Sequence, residues 1–152
     1  MENMNKYNLT EIKSYKNILQ TIKRFDSEFI PSITRRIPDL QNYVRKLADN
    51  AVVYTAIDNH EIIGFIAFYA NNGNFSFIAL IAVLKSYRKR GIGQILIEKC
   101  LEISKNRHIS KVQLEVLKDN VQAIKFYEKL GFYFINPSND KSYLMERNIT
   151  NE

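Results

Sequence analysis

One stretch of this chain joins the end of an apolar run to the start of an amphipathic one: Val83-Leu84-Lys85-Ser86-Tyr87-Arg88-Lys89-Arg90-Gly91-Ile92-Gly93-Gln94. The pattern predicts a buried strand, a basic loop and a helix, in that order. The N–H groups of a helix's first turn lack partners within the helix and lie at the positive end of its dipole, so they bind anions readily. Gly91 and Gly93 carry no Cβ, which allows a phosphate to approach the backbone. The stretch indicates either a phosphate-binding loop or a basic surface turn closed by glycines.

A second stretch, from Asn120 to Phe132, reads Asn-Val-Gln-Ala-Ile-Lys-Phe-Tyr-Glu-Lys-Leu-Gly-Phe. Asn120 is a favourable first cap for a helix. Ala123 and Tyr127 follow at helical spacing, so they share one face with Asn120. A small residue between two hydrogen-bonding ones leaves room for a ligand chain along that face. The alternative is an ordinary capped amphipathic helix with a tyrosine in the core.

The segments around these two stretches predict a sheet. Strand-forming residues dominate three consecutive runs with short turns between them, and a fourth run alternates apolar and polar residues: Ala51–Asp58, Glu61–Tyr69, Phe75–Leu84 and Lys111–Leu117. The first three predict an antiparallel meander. Because these runs are almost continuously apolar, we expect helices on both faces.

Helices and two further strands complete the predicted architecture. The first fifty residues are predicted to be helical, with one apolar stripe over Ile12–Phe25 and another helix capped by Asp39. Helices are also predicted over 91–106 and Val121–Leu130. The last strands, Phe132–Ile135 and Ser142–Arg147, flank a turn at 136–139. The result is an α+β fold with a mixed, mostly antiparallel sheet.

Length and composition limit the remaining possibilities. The chain has 152 residues, which predicts one domain over 1–152. The chain has 22 Lys and Arg residues and 16 Asp and Glu residues. The resulting net charge of +6 suits an anionic partner. The ten-residue run Phe75–Leu84 is too short to span a membrane, and residues 1–6 are polar, unlike a signal peptide. We therefore expect a soluble, cytoplasmic protein.

The two motifs together resemble those of one enzyme superfamily. Arg88-x-x-Gly91-x-Gly93 is similar to the acyl-coenzyme A signature of the GNAT N-acetyltransferases, and Asn120-x-x-Ala123-x-x-Phe126-Tyr127-x-x-Leu130-Gly131-Phe132 is similar to their next motif. The resemblance covers roughly Glu61 to Phe134 closely. It implies a GNAT-like fold and an enzyme that transfers an acetyl group from acetyl-coenzyme A to a primary amine of a small molecule or peptide.

The resemblance also implies a set of site residues. Pantetheine would enter a wedge between the strands Phe77–Val83 and Lys111–Leu117, the diphosphate would rest on amides of the loop and helix start, and Lys89 or Lys129 would meet the 3′-phosphate. Tyr127 would be the general acid that protonates the departing thiolate. The donor-binding residues would be Ile81, Ala82, Val83, Arg88, Lys89, Arg90, Gly91, Ile92, Gly93, Gln94, Asn120, Ala123, Phe126 and Lys129. No metal is expected, since the sequence has no Cys/His cluster.

The chain departs from the family at the general base. Many members carry a glutamate on the fourth strand, whereas 77–82 here holds no carboxylate. Glu115, Ser76 or Tyr54 with an ordered water, and prior loss of the amine proton to solvent remain open. His60 and His108 are expected to be solvated. Cys100 falls on the buried stripe of its helix and is expected to pack in the core.

Two other functions stay open at this stage. A non-catalytic acyl-coenzyme A sensor would keep the cleft without the chemistry, and the absent strand carboxylate favours it. A nucleic-acid binder would use the positive charge, but basic residues outside the loop are scattered, so we expect no nucleic-acid partner and no membrane partner. Both a monomer and a homodimer are compatible with the fold. Aromatic residues that could line an acceptor pocket are Phe25, Phe29, Tyr43, Tyr54, Phe68 and Tyr69.

Overall fold

The computed structural model describes residues 7–137 and 139–149, so the opening residues 1–6 and Ser138 of the predicted turn lie outside it. The described strands are β1 (Asn8–Ile12), β2 (Ala51–Asp58), β3 (Glu61–Tyr69), β4 (Ser76–Val83), β5 (Lys111–Leu117), β6 (Tyr133–Pro137) and β7 (Ser142–Asn148). The described helices are α1 (Tyr15–Phe25), α2 (Ile33–Arg36), α3 (Leu40–Asn50), α4 (Ile92–Asn106) and α5 (Val121–Lys129).

The strands form one seven-stranded sheet in the order β1-β2-β3-β4-β5-β7-β6. Every neighbouring pair is antiparallel except β4 and β5, which run parallel. The prediction of a mixed, mostly antiparallel α+β fold is confirmed. The meander of β2, β3 and β4 also lies where the sequence predicted it.

Apolar side chains pack on both faces of this meander. On one face, Leu96 and Cys100 of α4 pack with Ile66 of β3, and all three are fully buried. On the other face, Ile22 of α1 and Leu47 of α3 pack with other strand residues in a second cluster. The predicted helical cover on both faces and the core position of Cys100 are therefore confirmed.

The prediction that the first fifty residues are helical is wrong at their beginning. Asn8–Ile12 is a strand, which pairs antiparallel with β2 at the edge of the sheet. Its residues are exposed or half-buried, so the strand lacks the apolar alternation that a strand buried on one face would show. Helix α1 begins only at Tyr15, after Ser14, whose side chain accepts a hydrogen bond from the N–H of Asn17.

The two central strands diverge after a short contact. β4 and β5 pair only between 76–78 and 112–114, although β4 continues to Val83 and β5 to Leu117. A bulge lies at Ala79, because Leu80 pairs with Ala67 whereas Ile78 pairs with Phe68. The strands thus leave a wedge at their carboxyl ends. In the described ranges, no helix is both long enough and apolar enough to cross a membrane.

Candidate active site

The wedge between β4 and β5 opens into a cleft of about 920 Å³. Its walls come from the end of β4, the loop that follows β4, the start of α4, the end of β5 and one face of α5. Its lining residues are Glu28, Ile30, Ile81, Ala82, Val83, Tyr87, Arg88, Lys89, Gly91, Ile92, Gly93, Leu117, Asp119, Asn120, Gln122, Ala123, Phe126, Tyr127 and Lys129. The two motifs that the sequence singled out therefore meet across one cavity.

The start of α4 presents free amides to this cleft. Gly91 caps the helix with φ +83°, a left-handed conformation that glycine adopts without strain. The first helical hydrogen bond runs from the N–H of Ile95 to the carbonyl of Gly91 at 3.1 Å. The N–H groups of Ile92, Gly93 and Gln94 consequently have no acceptor within the helix. We call these three groups the amide cradle.

Gly93 has a packing role that the sequence did not reveal. A Cβ at this position would lie 2.9 Å from Cζ of Phe126, a distance that real Cβ atoms essentially never show. The absent side chain lets α5 approach α4 across the cleft. At Gly91, by contrast, a Cβ would meet nothing within 4 Å, so the space beside this backbone is open.

The exposed backbone edge of β4 also faces the cleft. The N–H of Leu84 donates to the carbonyl of Ile63 in β3 at 2.9 Å. Because N–H and C=O groups alternate in direction along a strand, Val83 and Ile81 direct theirs away from β3, into the wedge. The Nε of Arg88 donates to the Val83 carbonyl at 3.2 Å, which leaves the Val83 N–H and both groups of Ile81 for a ligand.

Arg88 is held at two points. Besides the Val83 carbonyl, its guanidinium contacts Glu28, with Nη2 2.5 Å from Oε1. The two side chains are 47% and 18% exposed. The arginine thus links the end of β4 to the segment after α1 while it lines the cleft.

Helix α5 supplies the opposite wall. Its cap Asn120 accepts a hydrogen bond from the N–H of Ala123 at 3.2 Å, which commits the amide oxygen and leaves the NH₂ group. The ring of Tyr127 contacts Phe126 and Phe132, with centroid separations of 5.4 and 5.8 Å. Burial raises the pKa of Tyr127 to about 12. Its hydroxyl therefore stays neutral and keeps its proton across the physiological range.

The structure brings together Tyr127 and all predicted donor-binding residues except two. The guanidinium of Arg90 lies over the ring of Tyr87, 4.9 Å from its centroid, and the side chain of Gln94 donates to Glu98 at 3.0 Å. Neither side chain lines the cleft, although the Gln94 N–H belongs to the amide cradle. Both His60 and His108 are exposed, as predicted.

The residues considered as a general base do not line the cleft. Ser76 is fully buried and its hydroxyl lies 2.6 Å from that of Ser104. Tyr54 packs under Lys99, whose Nζ is 5.3 Å from the ring centroid. Glu115 is exposed on β5. Of the aromatic residues suggested for an acceptor pocket, Phe25 and Phe68 are fully buried in the core.

Several lining residues were missed by the sequence analysis. Leu117, Asp119 and Gln122 flank the predicted junction of β5 and α5, so their position was available from the elements already assigned. Glu28 and Ile30 come from the segment after α1, far away in sequence. No local pattern signals their approach, because it depends on how α1 packs in the core cluster on one face of the sheet.

The sequence of the chain matches the model of the family described as "Acetyltransferase (GNAT) family" over residues 15–132. The chain belongs to the GNAT acetyltransferase family. This membership confirms the resemblance that the two motifs indicated.

Individual GNAT relatives act on different acceptors according to their names. The chain is 31% identical over 107 residues to N-alpha-acetyltransferase 30 of Schizosaccharomyces pombe, which covers 62% of this chain and 71% of that protein. It is 35% identical over 91 residues to streptothricin acetyltransferase A of Bacillus subtilis, which covers 60% of this chain and 51% of that protein. The chain thus spans only about half the length of the second relative.

Solved structures show the same GNAT fold. An acetyltransferase of the family from Staphylococcus aureus superposes with a TM-score of 0.76 at 23% identity, over 95% of this chain and 99% of that one. A Bacillus anthracis protein solved in complex with acetyl coenzyme A gives a TM-score of 0.62 at 31% identity, over 66% and 64% of the two chains. The GNAT fold has therefore been solved in complex with acetyl coenzyme A.

Proposed function

We propose that this GNAT member is an acetyl-coenzyme A-dependent N-acetyltransferase that acts, as a single domain, on a primary amine of a small molecule or peptide. One observation carries the proposal: the cleft has the amide cradle at the start of α4 and the ring of Tyr127, with its hydroxyl, on α5. A thioester linked to a diphosphate needs these two features at separate places in one cavity. Family membership supports the same reading.

The residues present fit the donor substrate. The amide cradle suits the diphosphate, because free N–H groups at a helix start attract anions. Lys89 and Lys129 line the cleft and supply cations for a further phosphate. The edge of β4 offers the N–H of Val83 and both backbone groups of Ile81 to the amides of pantetheine. The NH₂ group of Asn120 is a further donor on the facing wall.

The transfer forms a bond from the acceptor nitrogen to the acetyl carbon and breaks the bond from that carbon to sulfur. The electron pair of the broken bond leaves with the thiolate. We propose that the Tyr127 hydroxyl donates a proton to this sulfur as the general acid. The attacking nitrogen releases one proton as the amide forms, and solvent returns a proton to Tyr127. Its raised pKa keeps the hydroxyl protonated at neutral pH, so a proton is available to the sulfur. General acid catalysis typically contributes about 10²–10⁴-fold to the rate.

The acceptor must lose a proton to become a nucleophile. Of the alternatives that the sequence left open, Ser76, Tyr54 and Glu115 do not line the cleft. We propose the remaining one, in which the amine loses this proton to solvent before it attacks. The rate should then rise with pH as the acceptor approaches its own pKa.

Calorimetry followed by an activity screen tests the proposal. Acetyl-coenzyme A is titrated into the protein, and coenzyme A release is then measured with a panel of N-terminal peptides and small primary amines. The names of the two relatives justify both classes of acceptor. Binding together with transfer to at least one amine is the expected result. No binding at millimolar acetyl-coenzyme A would refute the proposal.

A second candidate is a non-catalytic acyl-coenzyme A sensor. The observation that favours it is the absence of a carboxylate on β4 over 76–83. Tight binding without transfer to any amine of the panel would support the sensor. The half-buried Tyr127, placed in the cleft with a protonated hydroxyl, favours the enzyme.

A further inference from the structure

We propose that Glu28 is a positioning residue for donor binding, because it holds the guanidinium of Arg88 in the cleft that also contains the amide cradle. The inference rests on the proposed function, because it concerns how the same cleft recognises the diphosphate of coenzyme A. Glu28 lies 60 positions before Arg88 and belongs to neither motif. It nonetheless lines the same cleft.

The contacts of Arg88 leave a defined set of donors free. A guanidinium carries five N–H groups in a fixed planar fork. The Nε group is used by the Val83 carbonyl and one Nη2 group by Glu28. These two contacts fix the plane of the fork, and the three remaining N–H groups belong to a side chain that lines the cleft. An arginine held in this way loses less conformational freedom when it binds a phosphate.

Glu28 is itself held by the segment after α1. That segment contains a 3₁₀ turn over Asp26–Glu28. The carboxylate of Asp26 accepts hydrogen bonds from the N–H and the hydroxyl of Thr34 at 2.9 and 2.8 Å. The ring of Phe29 packs against buried Phe65 of β3 at 6.5 Å between centroids. Glu28 is therefore anchored on both sides, and its 18% exposed side chain can act as a fixed point for Arg88.

Two other roles for Glu28 predict different effects of its removal on donor binding and turnover. If the Glu28 carboxylate had no positioning role, it would only repel the diphosphate, so its removal would tighten the binding of coenzyme A. A carboxylate that served as the general base would affect turnover with any acyl donor and leave coenzyme A affinity unchanged. A positioning role alone predicts weaker binding that depends on the diphosphate.

The test measures the affinity of coenzyme A and of pantetheine, which lacks the diphosphate, by calorimetry. We expect E28Q to weaken coenzyme A binding about three- to ten-fold, a range set by the cost of ordering one long side chain, and to leave pantetheine affinity unchanged. In the R88Q background, E28Q should add little further loss, because the residue that it positions is gone. E28A provides the same comparison should E28Q unfold.

The matched control is E61Q. Glu61 forms an exposed ion pair with Arg24 at 3.9 Å and does not line the cleft, so this variant should bind coenzyme A like the wild type. Unchanged or tighter coenzyme A binding in E28Q would overturn the inference, as would an equal loss of pantetheine affinity. So would a fall in kcat at saturating donor with unchanged affinity. A wild-type protein that binds no coenzyme A would instead refute the proposed function and the inference with it.

Discussion

At the scale of single residues, Tyr127 carries the chemistry of the proposed reaction. We expect Y127F to lower kcat by about 10²–10³-fold, within the range for loss of a general acid, and to change the KM for acetyl-coenzyme A less than threefold. The reason is that the hydroxyl acts on the sulfur only as the bond breaks, whereas the ring still packs between Phe126 and Phe132. Steady-state kinetics with a saturating amine measures both parameters.

The control for this substitution is Y15F. Tyr15 opens α1, beneath the guanidinium of Arg45 at 5.1 Å, and does not line the cleft. Loss of the Tyr15 hydroxyl in Y15F should leave kcat unchanged. A Y127F enzyme that retains more than a third of wild-type kcat would show that Tyr127 is not the acid.

Asn120 combines a structural role and a proposed binding role in one side chain. N120A removes the oxygen that accepts from the Ala123 N–H and should lower the free energy of unfolding by about 1 kcal/mol. N120S keeps a capping oxygen but has no NH₂ group. It should therefore unfold like the wild type and bind coenzyme A several-fold more weakly. Urea denaturation and calorimetry on the same samples separate the two effects. If N120S binds coenzyme A with wild-type affinity, Asn120 acts only as a helix cap.

At the scale of elements, the contact between α4 and α5 depends on one missing Cβ. Alanine is a better helix former than glycine by about 1 kcal/mol, yet G93A would place its methyl 2.9 Å from Cζ of Phe126. We expect the overlap to dominate and to lower the free energy of unfolding by about 1–3 kcal/mol. In the F126L background the shorter side chain removes the overlap, so G93A should become neutral or stabilising. Urea denaturation of the four proteins measures the coupling.

G91A supplies the comparison for this pair. Its Cβ would meet nothing within 4 Å, but the φ of +83° strains any side-chain-bearing residue by roughly 1–2 kcal/mol. That cost does not involve Phe126, so it should be the same in both backgrounds. If G93A has the same cost in the F126L background as in the wild type, the overlap with Phe126 is not the cause of that cost, and the two helices adjust to the added methyl group.

Elements buried on both faces could be predicted closely from sequence. The bounds of β2 and β3 agree with the predicted runs, and β4 differs by one residue at each end, because apolar residues fill these strands almost without interruption. The bounds of β5 also agree, because its residues alternate between apolar and polar. β1 was not predicted because a strand at the exposed edge of the sheet does not need a run of apolar residues. Glu28 escaped because its approach to Arg88 joins segments 60 positions apart, and no local sequence pattern encodes a contact of that kind.

At the scale of the whole molecule, the sheet consists of two parts that meet weakly at β4 and β5. Only three residue pairs join these strands, whereas β2 and β3 pair over their full lengths. The donor substrate, placed in the wedge, would add contacts to both parts and bridge them. Ligand binding should therefore stabilise the sheet at this seam more than elsewhere.

Hydrogen exchange followed by mass spectrometry or NMR tests this expectation. In the free protein the amides of Ile81 and Val83 face the wedge, so they should exchange quickly, and saturating coenzyme A should slow them at least tenfold. The amide of Leu84 is the internal control, since its bond to Ile63 at 2.9 Å lies on the β3 side and persists in both states. At a hundredfold excess over Kd, binding contributes about 2.7 kcal/mol, which for a chain of this size raises Tm by roughly 5–10 °C. A raised Tm with unchanged exchange at Ile81 and Val83 would place the ligand outside the wedge, because a molecule bound along β4 must cover the N–H groups that face it.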